Sequence, residues 1–332
     1  MNRTLANKSV PAVGLGCMGM SEFYGETDDA QSLETLHAAL DLGYRHFDTS
    51  DMYGRGHNEE LLGKFIKQLG SRRDEILLAT KFGIYRDPAD KYTLLIDGAR
   101  DYVKNACEAT HKRLNTECID LYYVHRRDPN TPIEETVGAL AELVQEGKIK
   151  AIGLSEVSVE TLRKAHAVHP IAALQSEYSL WSRDLEEQTL PVLEELDIAL
   201  VAYSPLGRGF LTGAITKEHI EQASADSDFR AKLPRFQGEN LDANLQLVKA
   251  LEQLSNELGC TSAQLALAWL LDQYENLHVI PGTKRIKYLA GNFEAQTIKL
   301  DTAAAAMLGK IFMPQAIAGK RYPDAILKGT NI

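Results

Sequence analysis

No apolar run in the sequence approaches the length of a membrane span, and Met1-Asn2-Arg3-Thr4 leads into no apolar signal core. Neither a spanning helix nor a secretory leader is expected. Cysteine is sparse: Cys17, Cys107, Cys118 and Cys260 are the four, and no pair has Cys-x-x-Cys spacing. That argues against a zinc or disulfide framework and for reduced thiols in a cytoplasmic protein. Basic charge is not in excess either. With 36 Lys and Arg against 46 Asp and Glu, the net charge of −10 disfavours nucleic acid or an anionic membrane as partner. His57, His111, His166, His169 and His219 form no ligand set and read as surface residues, so no metal is expected.

What remains is an ordinary globular composition, 44% hydrophobic and 25% charged, with ample material for a core. A chain of 332 residues can hold two domains, but one α/β barrel also fits. Along the chain, strand and helix alternate. A short hairpin is expected over Thr4 to Val13, turning at Asn7-Lys8. Core strands follow at 12–17, 46–50, 76–82, 119–125, 149–155, 172–177, 198–204 and 278–282. Helices are expected at 28–42, from Asn58 as N-cap, at 96–114, 133–145, 159–168, 185–196, 241–258, 262–274 and from 286. Several of the strands are near-continuous apolar runs, as in a parallel sheet covered on both faces. Eight such units fit an α/β fold of the (β/α)8 TIM barrel type, with an N-terminal hairpin and a C-terminal helical extension. We read residues 1–332 as this single domain. A doubly wound open sheet stays open, because counting strands does not prove closure.

The stretch His46-Phe47-Asp48-Thr49-Ser50-Asp51-Met52-Tyr53-Gly54 organises the rest. It runs from a buried strand into turn chemistry, leaving Asp48 at the strand tip and Tyr53 on the loop beyond. Polar residues also end the other strands: Lys81, His125, Ser155 with Glu156, Gln175, Tyr203-Ser204, and Thr283-Lys284-Arg285. In a barrel all these ends open on one face, so the side chains converge. Gly14-Leu15-Gly16-Cys17-Met18-Gly19 matches a dinucleotide fingerprint, but no helix opens at its glycines, as that motif requires. The glycines are expected instead to let the first strand's tip approach a ligand closely.

Taken together these residues resemble the aldo-keto reductases, from Val13 to Asn292. The resemblance rests on Asp48-Thr49-Ser50 with Tyr53, Thr80-Lys81, Tyr122-Tyr123-Val124-His125, Gly153-Leu154-Ser155 and Gln175 with Glu177-Tyr178. Tyr203-Ser204-Pro205-Leu206-Gly207 and Ile280-Pro281-Gly282-Thr283 complete it. It looks most like the bacterial and plant branch with Gly-Leu-Ser-Glu after the fifth strand, which includes a plant alkaloid-aldehyde reductase and auxin-induced proteins. Two departures stand out. Glu156 replaces the usual Asn, and His125-Arg126-Arg127-Asp128 makes the mouth more basic than in many members.

The resemblance implies an NADP-dependent oxidoreductase of the alcohol dehydrogenase/carbonyl reductase type, acting on a small aldehyde or ketone. Hydride addition to a carbonyl builds an alkoxide that needs a proton. A phenol with pKa about 10 is a poor donor near neutrality, and the Lys81 ammonium, held by Asp48, is expected to lower that value. The residues alone leave open whether Tyr53 or His125 delivers the proton; the family assigns Tyr53, with Asp48, Lys81 and His125 in support. For NADPH/NADP+, it implies Tyr203 under the nicotinamide and Ser155 and Gln175 on its carboxamide. The Ser204, Pro205, Leu206 and Gly209 loop would meet the pyrophosphate. Gly282, Thr283, Lys284 and Arg285 would hold the 2′-phosphate, and Asn292 the adenine. Trp181 either walls the pocket or covers the sixth helix, and residues 207–240 are long enough for a lid. An assembly of identical chains is compatible with the sequence. Two further readings are a Schiff-base lyase using Lys81 and a cofactor-sensing regulatory subunit, since some relatives attach to potassium channels.

Overall fold

A computed structural model describes residues 1–86, 94–223, 228–323 and 330. The chain opens with β1 (Asn2–Leu5) and β2 (Lys8–Pro11), an antiparallel hairpin. Its turn falls at Ala6-Asn7, one residue earlier than expected. Both residues adopt positive φ, 49° and 60°, the geometry that matches the twist of the flanking strands. The barrel strands are β3 (Leu15–Gly16), β4 (His46–Asp48) and β5 (Leu77–Phe82). A second hairpin follows, β6 (Ile84–Arg86) with β7 (Leu94–Ile96). The barrel then resumes with β8 (Leu121–Val124), β9 (Ile152–Ser155), β10 (Ile171–Glu177), β11 (Ala199–Tyr203) and β12 (Leu277–Val279).

The eight barrel strands pair in chain order, all parallel. Bridges Val13–Val279 and Gly16–Gly282 join the first strand to the last and close the ring. The seam explains the early glycines. A Cβ on Gly16 would lie 2.8 Å from the Ile280 carbonyl oxygen, and one on Gly14 would lie 2.7 Å from His46 Nδ1. The close approach at these two positions is to the protein itself, Gly16 across the seam and Gly14 against β4, where the sequence reading expected a ligand.

Alternation does the sorting along each strand. Leu77 and Ala79 of β5, Leu121 and Tyr123 of β8, Ala173 of β10 and Val201 of β11 fill the interior. Phe47, Leu78, Phe82, Tyr122, Leu174 and Leu200 face the surrounding helices. The N-terminal hairpin adds Leu5 and Val10 to the interior cluster. Arg3 binds the carbonyls of Leu271 (2.6 Å), Tyr274 (3.2 Å) and Leu277, while Lys8 binds those of Asp74 (2.6 Å) and Ile76 (2.7 Å). One end of the barrel is thus stoppered, and the chemistry is left to the other.

Several helix starts differ from expectation, including the one expected from Leu241, which begins at Gly238, and the one from Ile286, which begins at Leu289. The helix after Tyr53 is His57–Leu69 with Gly56 at its N-cap (φ 93°). Asn58 lies inside it, fully buried, its amide bound to Cys17 O at 2.9 Å and Ser21 Oγ at 2.7 Å. The helix expected from Ile96 begins at Arg100, because Leu94–Ile96 is spent on the second hairpin. The sixth helix is Thr189–Glu195, shorter than the expected 185–196.

Candidate active site

Since Leu77 and Ala79 point inward, the same period carries Lys81 into the open end of the barrel, and it does the same for Asp48 and His125. Lys81 is fully buried. Its ammonium donates to Asp48 Oδ1 at 2.5 Å, to the Thr49 carbonyl at 2.8 Å and to Tyr53 Oη at 3.3 Å. The second oxygen of Asp48 accepts from Gln175 Nε2 at 2.8 Å. Burial opposes the charge on Lys81, but Asp48 and Tyr53 outweigh it and hold the ammonium above its ordinary pKa. The four residues from β4, its loop, β5 and β8 are thus one constellation, with the Tyr53 and His125 ring centres 6.0 Å apart.

The phenol differs from expectation. Burial raises the Tyr53 pKa, and the pull of Lys81 does not reverse this. Tyr53 therefore keeps its proton near neutrality. His125 is held well below its ordinary pKa by burial, then by Arg126 and Lys81, and stays neutral. Its Nδ1 lies 3.1 Å from Ser50 Oγ.

The residues assigned by resemblance to the cofactor rim the same opening. Ser155 ends β9 and Tyr203 ends β11. The strand ends are unusual in backbone: Glu156, Ser204 and Arg208 have φ of 54°, 49° and 59°. Such left-handed non-glycine residues cost about 1 kcal/mol or more each and cluster at functional sites. The Ser204-Pro205-Leu206 turn closes by Gly207 N–H donating to Ser204 O at 2.9 Å, and Gly209 N–H to Leu206 O at 3.0 Å. Trp181 covers this turn. It stacks on Phe210 at 4.6 Å, and a Cβ on Gly207 would reach its indole at 2.7 Å. The indole therefore backs the turn at 204–207.

At the seam, Lys284 Nζ is already engaged by the carbonyls of Tyr24 (3.0 Å) and Glu26, whereas Arg285 is exposed. Thr283 Oγ1 accepts from Arg285 N–H at 3.0 Å, Gly282 is exposed and Asn292 is buried. The long segment after β11 reaches across to the loop after β3. Phe229 N–H donates to Phe23 O at 3.1 Å, and Arg208 reaches Tyr24 Oη at 3.4 Å. Residues 224–227 of the expected lid lie outside the described residues.

Several participants were not assigned from sequence. Arg321 and Tyr322, on the segment after the last helix, fold back into the mouth. Arg321 pairs with the buried Glu156 at 2.7 Å, and Tyr322 meets the Tyr203 hydroxyl at 3.2 Å and Arg208 at 2.6 Å. Asn244 clasps Ala318 through both its N–H (2.9 Å) and its carbonyl (2.9 Å), fixing that segment. Nothing local in the sequence marks Arg321 or Tyr322. The run His125-Arg126-Arg127 was the available signal for Arg126, whose Nη1 donates to His125 O at 2.8 Å and Ser155 Oγ at 3.2 Å. Among the described residues no group of His, Cys, Asp and Glu is arranged to hold a metal, and no helix is long and apolar enough to cross a membrane.

Comparison with known proteins gives the family. Residues 12–312 match the aldo/keto reductase family. Aldo-keto reductase yakc of Schizosaccharomyces pombe, whose name specifies NADP(+), is 45% identical over 324 residues, covering 97% of this chain and 94% of that protein. A glycerol dehydrogenase from Gluconobacter oxydans superposes with a TM-score of 0.85 at 28% identity, covering 94% of this chain and 96% of its own. An aldo/keto reductase from Klebsiella pneumoniae, solved with NADP and acetate, gives 0.72 at 26% identity, with 97% and 98% covered. A family match over most of the chain and a relative this similar establish that the protein belongs to the aldo/keto reductase family.

Proposed function

We propose that the chain reduces an aldehyde or ketone to an alcohol, with Tyr53 as the proton donor. The observation that carries this is the Tyr53 hydroxyl 3.3 Å from a Lys81 ammonium held by Asp48, at one open mouth with His125. NADP(H) is the cofactor, in keeping with the family and the relatives. The donors present suit it: Ser155 and Gln175 near Tyr203 for the nicotinamide end, and Arg208, Lys284 and Arg285 for phosphates in an otherwise acidic chain. When bound it supplies the hydride.

The protein's own residues do the rest. His125, neutral, donates a hydrogen bond to the carbonyl oxygen and orients it. Tyr53 holds its proton until negative charge builds on that oxygen, then gives it up. Lys81 stabilises the phenolate left behind, which is where its charge matters most. Asp48 and Thr49 O fix the ammonium so that no reorganisation is needed at that moment.

The Schiff-base alternative fits poorly. All three N–H donors of Lys81 are occupied by Asp48, Thr49 and Tyr53, so the amine has no free lone pair for attack. Tyr53→Phe should lower the chemical step by about 10²-fold or more while NADPH affinity, read by fluorescence quenching, stays the same. Near-normal turnover in that variant, where chemistry limits the rate, would remove Tyr53 from the role.

A further inference from the structure

Three carboxylates line the open end of the barrel, and each has its own cation. Asp48 pairs with Lys81 at 2.5 Å, Glu156 with Arg321 at 2.7 Å and Glu177 with Arg208 at 2.9 Å. Arg126 forms no ion pair with a carboxylate among the described residues, and its Nη1 is tied to His125 O and Ser155 Oγ. The Tyr203 hydroxyl lies beside it, so the guanidinium stands between the histidine that faces the reacting oxygen and the floor of the nicotinamide end. Arg126 feels the charge of Glu156, but that carboxylate is paired with Arg321, so the half-buried guanidinium has no ion pair of its own and would be stabilised by an anion arriving in function. Its planar fork suits a carboxylate.

The anion has two sources, cofactor phosphate or substrate. The cations suited to phosphate are elsewhere: Arg208 follows the Ser204 turn, and Lys284 and Arg285 sit at the seam. Arg126 is anchored to His125 and Ser155, at the end where the carbonyl is reduced. We propose that Arg126 is a specificity-determining residue that binds a carboxylate on the substrate, so that the preferred carbonyl compounds are anionic. This rests on the reductase reading above.

The test compares 4-carboxybenzaldehyde with 4-methylbenzaldehyde, matched in shape and differing in charge, in NADPH-dependent reduction by the full chain. The wild-type protein should prefer the carboxylate by about 10-fold or more in kcat/KM, the size of one charge-assisted contact. Arg126→Met should lose that preference through KM, lowering kcat/KM for 4-carboxybenzaldehyde about 10-fold more than that for 4-methylbenzaldehyde, with an unchanged far-ultraviolet circular dichroism spectrum showing that the variant is folded. Arg126→Lys should keep part of the preference. Equal losses on both aldehydes, no preference in the wild type, or a matching rise in the NADPH Kd would each overturn the assignment. Failure of the wild type to reduce either aldehyde would instead bring down the reductase reading, and this assignment with it.

Discussion

Ser50 has one hydroxyl proton and several neighbours. His125 Nδ1 lies at 3.1 Å, Asp51 Oδ1 at 3.3 Å and Lys81 O at 3.4 Å, while Met52 N–H donates to the same oxygen at 3.3 Å. The nearest acceptor is the imidazole. Donation to Nδ1 fixes the proton of neutral His125 on Nε2, the nitrogen left to face a carbonyl oxygen. Ser50→Ala should therefore lower kcat by about 5-fold, since losing one orienting hydrogen bond is worth about 1 kcal/mol. NADPH affinity should not change. An unaltered kcat would show that the ring is oriented by packing alone. Asp48, Lys81 and His125 were legible in the sequence because strand alternation sends every second residue inward and each is polar where its strand ends. The Ser50–His125 and Glu156–Arg321 contacts were not, because they join residues 75 and 165 positions apart. Only the closed ring brings them together.

At the scale of elements, the end of β12 separates two residues that the sequence treats alike. Lys284 ties the loop after β3 through Tyr24 O and Glu26 O, whereas Arg285 is exposed. Arg285→Ala should raise the Kd for NADPH about 10-fold and leave NADH unaffected, as expected for one charge-assisted bond to the 2′-phosphate. Lys284→Ala should weaken both cofactors together, because it releases a loop and not only a phosphate contact. Titrations of both dinucleotides by fluorescence quenching would show this. If Arg285→Ala weakened NADH equally, the 2′-phosphate would have to be bound elsewhere. The strands and helices of the barrel were readable from their period. The second hairpin was not: its strands have three residues each, and only Asp97 and Gly98 separate Leu94-Leu95-Ile96 from the apolar pattern of the helix beyond. Asp97 and Gly98 were the overlooked punctuation. Asp97 Oδ1 accepts from Ala99 N–H at 2.9 Å, and a Cβ on Gly98 would lie 2.8 Å from Thr136 Oγ1.

For the molecule as a whole, closing the ring encloses two histidines that read as ordinary strand residues in sequence. His46 and His278 are fully buried inside the barrel, their ring centres 6.4 Å apart. Burial, then Lys81, holds His46 down to about 3; burial, then His46, holds His278 down to about 3. Unfolding frees both to titrate near 6.5. As the pH falls through 6.5, the unfolded chain binds protons that the folded barrel does not, so folding stability is complete above that pH and declines steadily toward 3. The loss down to pH 5.5 depends on the unfolded value alone, provided the folded one lies well below. It amounts to about 1 kcal/mol per histidine between pH 7 and pH 5.5. Urea unfolding at those two pH values should show the decline. Replacing His46 and His278 by Gln, singly or together, should flatten it by about 1 kcal/mol for each histidine removed, whatever the variants do to stability at pH 7. A pH dependence identical in the wild type and the double variant would mean that the barrel admits protons to these rings while folded.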